Sequence, residues 1–410
     1  MSNSYDVVVV GGGIAGSSLA YSLAKAGVRV LVLEAETEFK DRVRGEVLCP
    51  WGVAEAEMLG VLEAFRQAGA REIRWLDQYM GPQQIEHRDF LATTLTKTPL
   101  MTWYHPRMQT SLLNAAEAAG VEVRRGTTVT SVMPGKPPRV VHRGDAGGDE
   151  ITARLVVLAD GRNSQFRRAA GFEAQRENQT LCIAGVLLDG VPLAEDTFHM
   201  FTNPALGEII AWAPQGASRG RAYFVYWGES RPRLQGDADV SRMLKCMEWT
   251  GLVDKYFSRA KQAGPLATFD GADSWIEHPY RNGVALLGDT AASNDPAWGQ
   301  GLSLALRGAR ILRDVLSKNT DWEAAGNDYA CEQARTYERV RTVAGWFRQF
   351  FLETDVAANA RRERALPLIA QDPTRVPDLL FSGPDISIQA NSRARFFGED
   401  AAASSQAHAS

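Results

Sequence analysis

The sequence predicts an α/β fold with a Rossmann-like domain, an inserted antiparallel β-sheet domain and a C-terminal helical segment. Two observations lead to this prediction. From residue 5 onward, apolar strand-like runs alternate with helix-forming stretches, which is typical of parallel βαβ units. Residues 181–270 instead hold short strand-like runs separated by Gly, Pro and Asn, which is typical of antiparallel strands. These runs are Leu181–Leu188, Thr197–Thr202, Glu208–Pro214 and Arg221–Trp227.

Composition and charge exclude several classes of protein. Among 410 residues, 45 Lys and Arg stand against 49 Asp and Glu, a formal charge of −4, so binding to nucleic-acid phosphates is not expected. No apolar run approaches the roughly 20 residues that cross a bilayer, and the N-terminus does not resemble a signal peptide. The four cysteines are far apart, which argues against a metal site or a disulfide framework. We therefore expect a cytoplasmic protein without a membrane span, bound metal or nucleic-acid partner.

The first forty residues predict a dinucleotide site. Tyr5–Val10 is predicted to be a buried strand, Ala15–Ala26 a helix and Val28–Leu33 a second strand. The turn after the first strand matches G-x-G-x-x-G, in which the glycines allow a tight turn, close approach of the backbone to a pyrophosphate, and close packing of the helix. Glu34 follows the second strand, where a carboxylate accepts hydrogen bonds from an adenosine ribose and disfavours a 2′-phosphate. The motif by itself leaves NAD and FAD both open.

Two later strands also end in candidate ligand positions. The run Leu155–Ala159 leads into Asp160-Gly161, and the run Gly283–Leu287 leads into Gly288 and Asp289. Ligands of open α/β sheets bind at the carboxyl ends of the strands, so both acids are expected there. A glycine-rich stretch then opens the helix Leu302–Leu316, whose backbone N–H groups suit an anionic or polar ring edge.

In this order, the three segments resemble the group A flavoprotein monooxygenases of the p-hydroxybenzoate hydroxylase fold. The resemblance extends over residues 5–345 and selects FAD as the cofactor. It implies that the FAD-binding residues are Gly11, Gly13, Ile14, Ala15, Gly16, Glu34, Arg44, Arg107, Asp160, Gly288, Asp289, Gly299, Gly301 and Leu302. It further implies that the flavin ring, the catalytic centre, is surrounded by Pro296, Trp298, Gly299 and Gln300. Many relatives carry a histidine where this chain has Ala292.

The resemblance also implies how the chain is divided into domains. The FAD-binding domain is expected in three parts, the substrate domain in two, and a helical segment and a disordered tail at the C-terminus. The FAD-binding parts are expected at 1–75, 103–180 and 271–345, the substrate domain at 76–102 and 181–270, the helical segment at 346–400 and the tail at 401–410.

The function that this resemblance implies is oxygen transfer. NADH or NADPH would reduce FAD, O2 would form a flavin C4a-hydroperoxide, and one oxygen atom would pass to an electron-rich, aromatic small molecule of secondary metabolism. The sequence carries no second glycine fingerprint for the reductant, so a separate reductase stays open as a partner, as does a homodimer.

Three alternatives stay open. A reductase of the geranylgeranyl type would act on isoprenoid double bonds. A flavin-dependent halogenase would carry Trp-x-Trp-x-Ile-Pro, whereas the nearest stretch here is Ile209–Pro214. A flavin-binding protein without turnover belongs to a different class altogether, and fold analogy alone does not separate these functions.

Overall fold

The computed structural model describes residues 5–144, 147–179, 181–251 and 253–400, so the predicted disordered tail at 401–410 lies outside the described residues. The chain forms two compact units. Unit 1 comprises Met1–Glu72, Leu100–Gln179 and Gly271–Glu338, and unit 2 comprises Ile73–Pro99, Thr180–Asp270 and Arg339–Ser410. The finer division into seven segments stays a prediction.

The strands are numbered in chain order. They are β1 (Tyr5–Val10), β2 (Val30–Glu34), β3 (Val47–Leu48), β4 (Arg71–Ile73), β5 (Trp75–Met80), β6 (Gln83–Asp89), β7 (Leu100–Thr102), β8 (Glu122–Arg125), β9 (Thr128–Met133), β10 (Arg139–Gly144), β11 (Gly147–Leu158), β12 (Gln175–Arg176), β13 (Leu181–Asp189), β14 (Thr197–Asn203), β15 (Glu208–Gly216), β16 (Arg219–Trp227), β17 (Lys261–Gln262), β18 (Ala267–Asp270), β19 (Ser274–Trp275), β20 (Tyr280–Arg281), β21 (Val284–Leu286) and β22 (Ala292–Ser293).

The α-helices are numbered in the same way. They are α1 (Ile14–Lys25), α2 (Pro50–Leu59), α3 (Leu62–Gln67), α4 (Phe90–Thr93), α5 (His105–Ala118), α6 (Phe166–Ala169), α7 (Val240–Cys246), α8 (Gly301–Lys318), α9 (Trp322–Phe351), α10 (Val356–Gln371), α11 (Leu379–Ser382) and α12 (Ser392–Phe397). Within the part of the chain that the structure describes, no helix combines the length and the apolar character needed to cross a bilayer.

Unit 1 is built on a sheet with the strand order β20-β21-β11-β1-β2-β8. The strands from β21 to β8 pair in parallel, and β9 and β10 extend the first half of β11 as an antiparallel meander. Val7 and Val9 of β1 belong to the core shared with helices such as α1, α5 and α8, whereas Val8 and Val10 belong to the core on the meander side. Burial on both faces explains the uninterrupted run of valines.

Unit 2 contains a mixed sheet with the order β17-β13-β16-β15-β14-β5-β6, and β18 also pairs with β13. The four long strands β13 to β16 each begin and end within two residues of the limits that the sequence predicts. Phe224 and Tyr226 share a core with Met243 and Phe257, so this face of the sheet packs against the 237–257 segment. Tyr223, next to Phe224 in the strand, is buried on the opposite face.

The observed architecture confirms the predicted fold class. The structure contains a parallel Rossmann-like sheet, a second sheet whose strands are inserted in the sequence between segments of the first unit, and C-terminal helices. The face of the second sheet that packs on helical segments is the one that carries Phe224 and Tyr226.

Candidate functional site

The carboxyl ends of the parallel strands of unit 1 form one edge of the sheet. Backbone hydrogen bonds continue the pairing one residue beyond each strand: Gly11 N donates to Leu33 O at 2.8 Å, Ala159 N to Val10 O at 2.8 Å and Leu287 N to Leu158 O at 2.9 Å. The turns that follow these three strands therefore lie next to one another at this edge of the sheet. These turns carry the acids and glycines that the sequence singles out.

Gly11 and Gly16 must be glycines because of the packing of the chain itself. Gly11 has φ of +105°, and a Cβ there would lie 2.5 Å from Ala159 O. A Cβ at Gly16 would lie 2.1 Å from Gly11 O, because α1 starts against the end of β1. Both contacts are far closer than van der Waals packing allows, so neither position tolerates a side chain.

Gly13 and Gly301 differ from these two glycines. Gly13 has φ of −71°, which every residue can adopt, and a Cβ there would meet only Gln109 Nε2 at 4.0 Å. A Cβ at Gly301 would meet nothing within 4 Å. Neither backbone conformation nor packing explains these glycines. They lie at the N-terminal ends of α1 and α8, where free N–H groups and the helix dipole suit an anionic or polar ligand.

The Glu34 carboxylate is held at the end of β2 by two backbone donors. Its Oε2 accepts from Gly12 N at 2.6 Å, and its Oε1 accepts from Glu36 N at 2.8 Å. The side chain is buried. Because each carboxylate oxygen has a second lone pair, Glu34 can still accept hydrogen bonds from a ribose while its orientation stays set.

Asp289 is brought to the start of α1 by the turn at Gly288. Gly288 has φ of +61°, and a Cβ there would lie 2.8 Å from Ala15 Cβ, so the turn and the helix approach each other closely. Burial raises the pKa of Asp289, and the guanidinium groups of Arg162, Arg44 and Arg167 oppose that rise. A half-buried carboxylate surrounded by cations can accept hydrogen bonds from a polyol chain.

Thr290 joins two of the predicted segments. Gly161 N donates to Thr290 Oγ1 at 2.8 Å, and that hydroxyl lies 3.3 Å from Asp160 Oδ1. Burial raises the pKa of Asp160, while hydrogen bonds from Ser164 and Thr290 lower it. No sequence motif marks Thr290 as a site residue. Its role depends on Asp160 and Gly161, which lie far away in the sequence.

Arg44 and Arg107 each lie, along the chain, within two residues of a contact between a loop and α5. Glu46 Oε1 accepts from His105 N at 3.0 Å, and His105 Nδ1 lies 2.8 Å from Gly45 O. The buried Glu46 thus caps the first turn of α5 from a distance. Both arginines are exposed, and Arg107 also lines a cleft of about 490 Å³ beside α3 and α5. Both guanidinium groups are therefore accessible to an anionic ligand.

The segment before α8 is held in place by hydrogen bonds of the Gln300 side chain. Pro296–Trp298 forms a short 3₁₀ turn, and the buried Gln300 follows it. Gln300 Oε1 accepts from Trp51 Nε1 at 3.1 Å, and its Nε2 donates to Trp298 O at 2.6 Å and to Cys49 Sγ at 3.3 Å. The Gln300 amide is thus engaged within the chain, and the groups left for a ligand are backbone N–H groups at the start of α8.

Two candidate reactive groups are held neutral by burial. Burial raises the pKa of the Cys49 thiol to about 12, so Cys49 does not supply a thiolate. Burial also lowers the pKa of His199 in unit 2, although Asp77 and Asp196 oppose it. His199 Nδ1 lies 3.6 Å from Asp77 Oδ2. Because His199 pairs with Trp212 across β14 and β15, it lies on the sheet face that packs against the 237–257 segment.

Comparison with known proteins identifies the family. The FAD binding domain family matches residues 4–336. The chain belongs to this family. It is therefore an FAD-dependent oxidoreductase, and the family, the enzyme class and the cofactor FAD that the sequence predicts are confirmed. The individual FAD contacts predicted from the sequence stay predictions.

Individual relatives include both monooxygenases and a reductase. The chain is 28% identical over 382 residues to the 6-methylpretetramide 4-monooxygenase of Streptomyces rimosus, covering 90% of this flavoprotein and 89% of that relative. It is 26% identical over 325 residues to the digeranylgeranylglycerophospholipid reductase 2 of Methanothermobacter thermautotrophicus, covering 77% and 78%. Among solved structures, p-nitrophenol 4-monooxygenase PnpA of Pseudomonas putida DLL-E4 is similar with a TM-score of 0.78 and 18% identity, covering 93% and 100%. This last similarity concerns the fold.

Proposed function

We propose that this flavoprotein is a monooxygenase that uses NADH or NADPH and O2 to hydroxylate an electron-rich, aromatic small molecule. The 28% identical 6-methylpretetramide 4-monooxygenase supports the reaction, and the observation that carries the FAD site is the pair of glycines, Gly13 and Gly301, that neither backbone nor packing explains. Both lie where the backbone would have to approach FAD closely. Bound FAD supplies the redox chemistry and the activation of oxygen.

The residues of unit 1 would divide the binding of FAD among them. Glu34 would accept hydrogen bonds from the adenosine ribose, and the N-terminus of α1 at Gly13 would receive the pyrophosphate. Asp289 would accept from the ribityl hydroxyl groups. The N–H groups at the start of α8 would donate to the polar edge of the ring, with Pro296, Trp298 and Gly299 forming the adjoining surface.

The substrate class is supported by unit 2 and by one of the relatives. The sheet face that includes the aromatic Tyr223 and the apolar Val225 lies opposite the face that packs on the 237–257 segment, and it also carries the fully buried Arg221. The relative with 28% identity is named 6-methylpretetramide 4-monooxygenase, which supports oxygen transfer to a small organic molecule. The sequence has no second glycine fingerprint, so the reductant would visit transiently or a reductase would deliver electrons.

Coupled oxygen consumption tests this proposal. The purified protein should be yellow and release FAD on denaturation, and candidate phenols should accelerate NADPH oxidation with one O2 consumed per product. Peroxide is measured alongside, because its release marks reduction without oxygen transfer. A protein that gains no flavin absorbance when incubated with FAD would refute the proposal.

A reductase of the geranylgeranyl type is the second candidate, because one relative is a digeranylgeranylglycerophospholipid reductase. The two functions differ in their need for oxygen. A monooxygenase forms no product under anaerobic conditions, whereas a reductase saturates an isoprenoid double bond there with dithionite as electron donor. Anaerobic conversion of a geranylgeranyl lipid, with no hydroxylated product in air, would favour the reductase.

A further inference from the structure

Asp273 is a buried carboxylate of unit 1 that sequence reasoning did not single out. It precedes β19 and is 1% exposed. Its Oδ1 accepts hydrogen bonds from Asn294 Nδ2 at 3.0 Å and from Asp295 N at 2.7 Å. Burying a carboxylate is costly unless it is well paired, so this arrangement indicates a specific task for Asp273.

Tyr337 of α9 strengthens the same contact. Its hydroxyl lies 3.3 Å from Asp273 Oδ1 and 3.1 Å from Ser293 O, so its single proton is shared between the two acceptors. Arg162 Nε donates to Ser293 Oγ at 3.1 Å, and Arg162 Nη2 donates to Ala272 O at 2.7 Å. Residues 293–295 are thereby held from three separate parts of unit 1.

The held segment leads directly to the start of α8. Asp295 Oδ1 accepts from Ala297 N at 2.9 Å and so begins the 3₁₀ turn of Pro296–Trp298. Gly299 ends this turn, and Gln300 immediately precedes α8, which begins at Gly301. Because only six positions separate Asp295 from Gly301, a displacement of Asp295 would also displace the N–H groups at the start of α8.

We propose that Asp273 is a positioning residue that holds residues 293–295, and through them the N-terminus of α8, in the place where it receives the flavin ring. The inference rests on the proposed function, since it assigns the start of α8 to the ring. Asp273 itself touches neither flavin nor substrate in this scheme. Its carboxylate sets the orientation of backbone donors that do.

Hydrogen exchange in the apoprotein tests the first half of the inference without any cofactor. In Tyr337→Phe, which removes one hydrogen bond to a charged group, we expect the amides of residues 294–302 to exchange about tenfold faster. Asp273→Ala removes the acceptor of Asn294, Asp295 and Tyr337 and should speed exchange at least as much. Asp273→Asn keeps an acceptor oxygen and should recover part of the protection. Unchanged exchange in a folded Asp273→Ala or Tyr337→Phe protein would overturn the inference.

Flavin binding tests the second half. Tyr337→Phe should weaken FAD binding about tenfold and shift the visible spectrum of the bound flavin. The matched control is Tyr280→Phe: the buried Tyr280 hydroxyl donates to Glu323 Oε2 at 3.1 Å and accepts from Gly283 N at 3.2 Å, at the opposite end of β21. This control should lower stability without changing FAD affinity or the spectrum.

The outcomes separate the two claims. Faster exchange in Tyr337→Phe together with unchanged FAD affinity and spectrum would overturn the positioning role, because α8 would then not receive the ring. Failure of the wild-type protein to bind FAD would instead refute the proposed function, and the exchange result would be unaffected by it. If Asp273→Ala does not fold, Tyr337→Phe and Asn294→Ala each remove one donor and carry the test.

Discussion

At the scale of single residues, the glycines of the first turn have different reasons to be glycine. Gly16 is excluded from carrying a side chain by Gly11 O, whereas Gly13 has open space around its missing Cβ. The first requirement arises from folding and the second from a ligand. Substituting each glycine separates the two requirements, because Gly16 affects the stability of the fold and Gly13 affects FAD binding.

Gly13→Val should leave the apoprotein folded and abolish FAD binding, since the side chain would occupy the space next to the N-terminus of α1. Gly16→Val should destabilise unit 1 by at least 3 kcal/mol, roughly the cost of forcing a side chain against backbone. Thermal unfolding of both apoproteins and FAD titration measure the two effects. Normal FAD affinity in Gly13→Val would show that Gly13 does not face the pyrophosphate.

At the scale of elements, α8 is tied to α2 by a buried carboxylate. Glu55 is 1% exposed, accepts a hydrogen bond from Arg310 Nε at 2.5 Å and forms an ion pair with Arg307, whose Nε lies 2.6 Å from Glu55 Oε1. Arg310 also donates to Asp314 Oδ2 at 3.1 Å. The network sets where α8 lies against α2, and so it supports the same N-terminus that Asp273 orients.

Glu55→Ala should destabilise unit 1 by about 3–5 kcal/mol, because it leaves two largely buried guanidinium groups without their shared carboxylate. Urea unfolding of the apoprotein measures the loss. Glu332→Ala is the control, since Glu332 pairs with Arg335 on an exposed part of α9 and exposed pairs contribute less than about 1 kcal/mol. Equal losses in the two variants would mean that the Glu55 network does not hold α8.

At the scale of the whole molecule, each unit contains a buried histidine that burial favours in its neutral form. Burial lowers the pKa of His142 in unit 1 and of His199 in unit 2 below the ordinary value of 6.5. Arg124 adds to the effect at His142, while Asp149 opposes it. The unfolded chain then binds more protons than the folded chain as the pH falls below 6.5.

The stability that these two histidines contribute is therefore present in full above pH 6.5 and is lost as the pH falls toward their folded-state pKa values. Urea unfolding at pH 7.5 and at pH 5.5 should show a larger loss for the wild type than for a His142→Gln, His199→Gln double variant. Glutamine carries no charge at either pH. The same loss in both proteins would show that the two imidazoles are protonated equally well when folded.

Local pattern determined much of this protein. The valines of β1, the glycine fingerprint and the four long strands of unit 2 were predicted from the sequence, because strand burial, tight turns and alternation depend on neighbouring residues. The glycine fingerprint, Asp160-Gly161 and Gly288-Asp289, taken in order, indicated the family and FAD. These features can be recognised from the sequence alone because each lies within about ten consecutive residues.

The tertiary structure alone decided which side chains hold the site in place. Glu46 caps α5 across 59 positions, Gln300 accepts from Trp51 across 249, and Glu55 pairs with Arg310 across 255. Gln300, predicted to surround the flavin, uses its side-chain amide to brace the turn, so only its backbone is left for a ligand. No local pattern marks such residues, because a buried carboxylate or amide acquires its task only when folding brings a distant donor within hydrogen-bond distance.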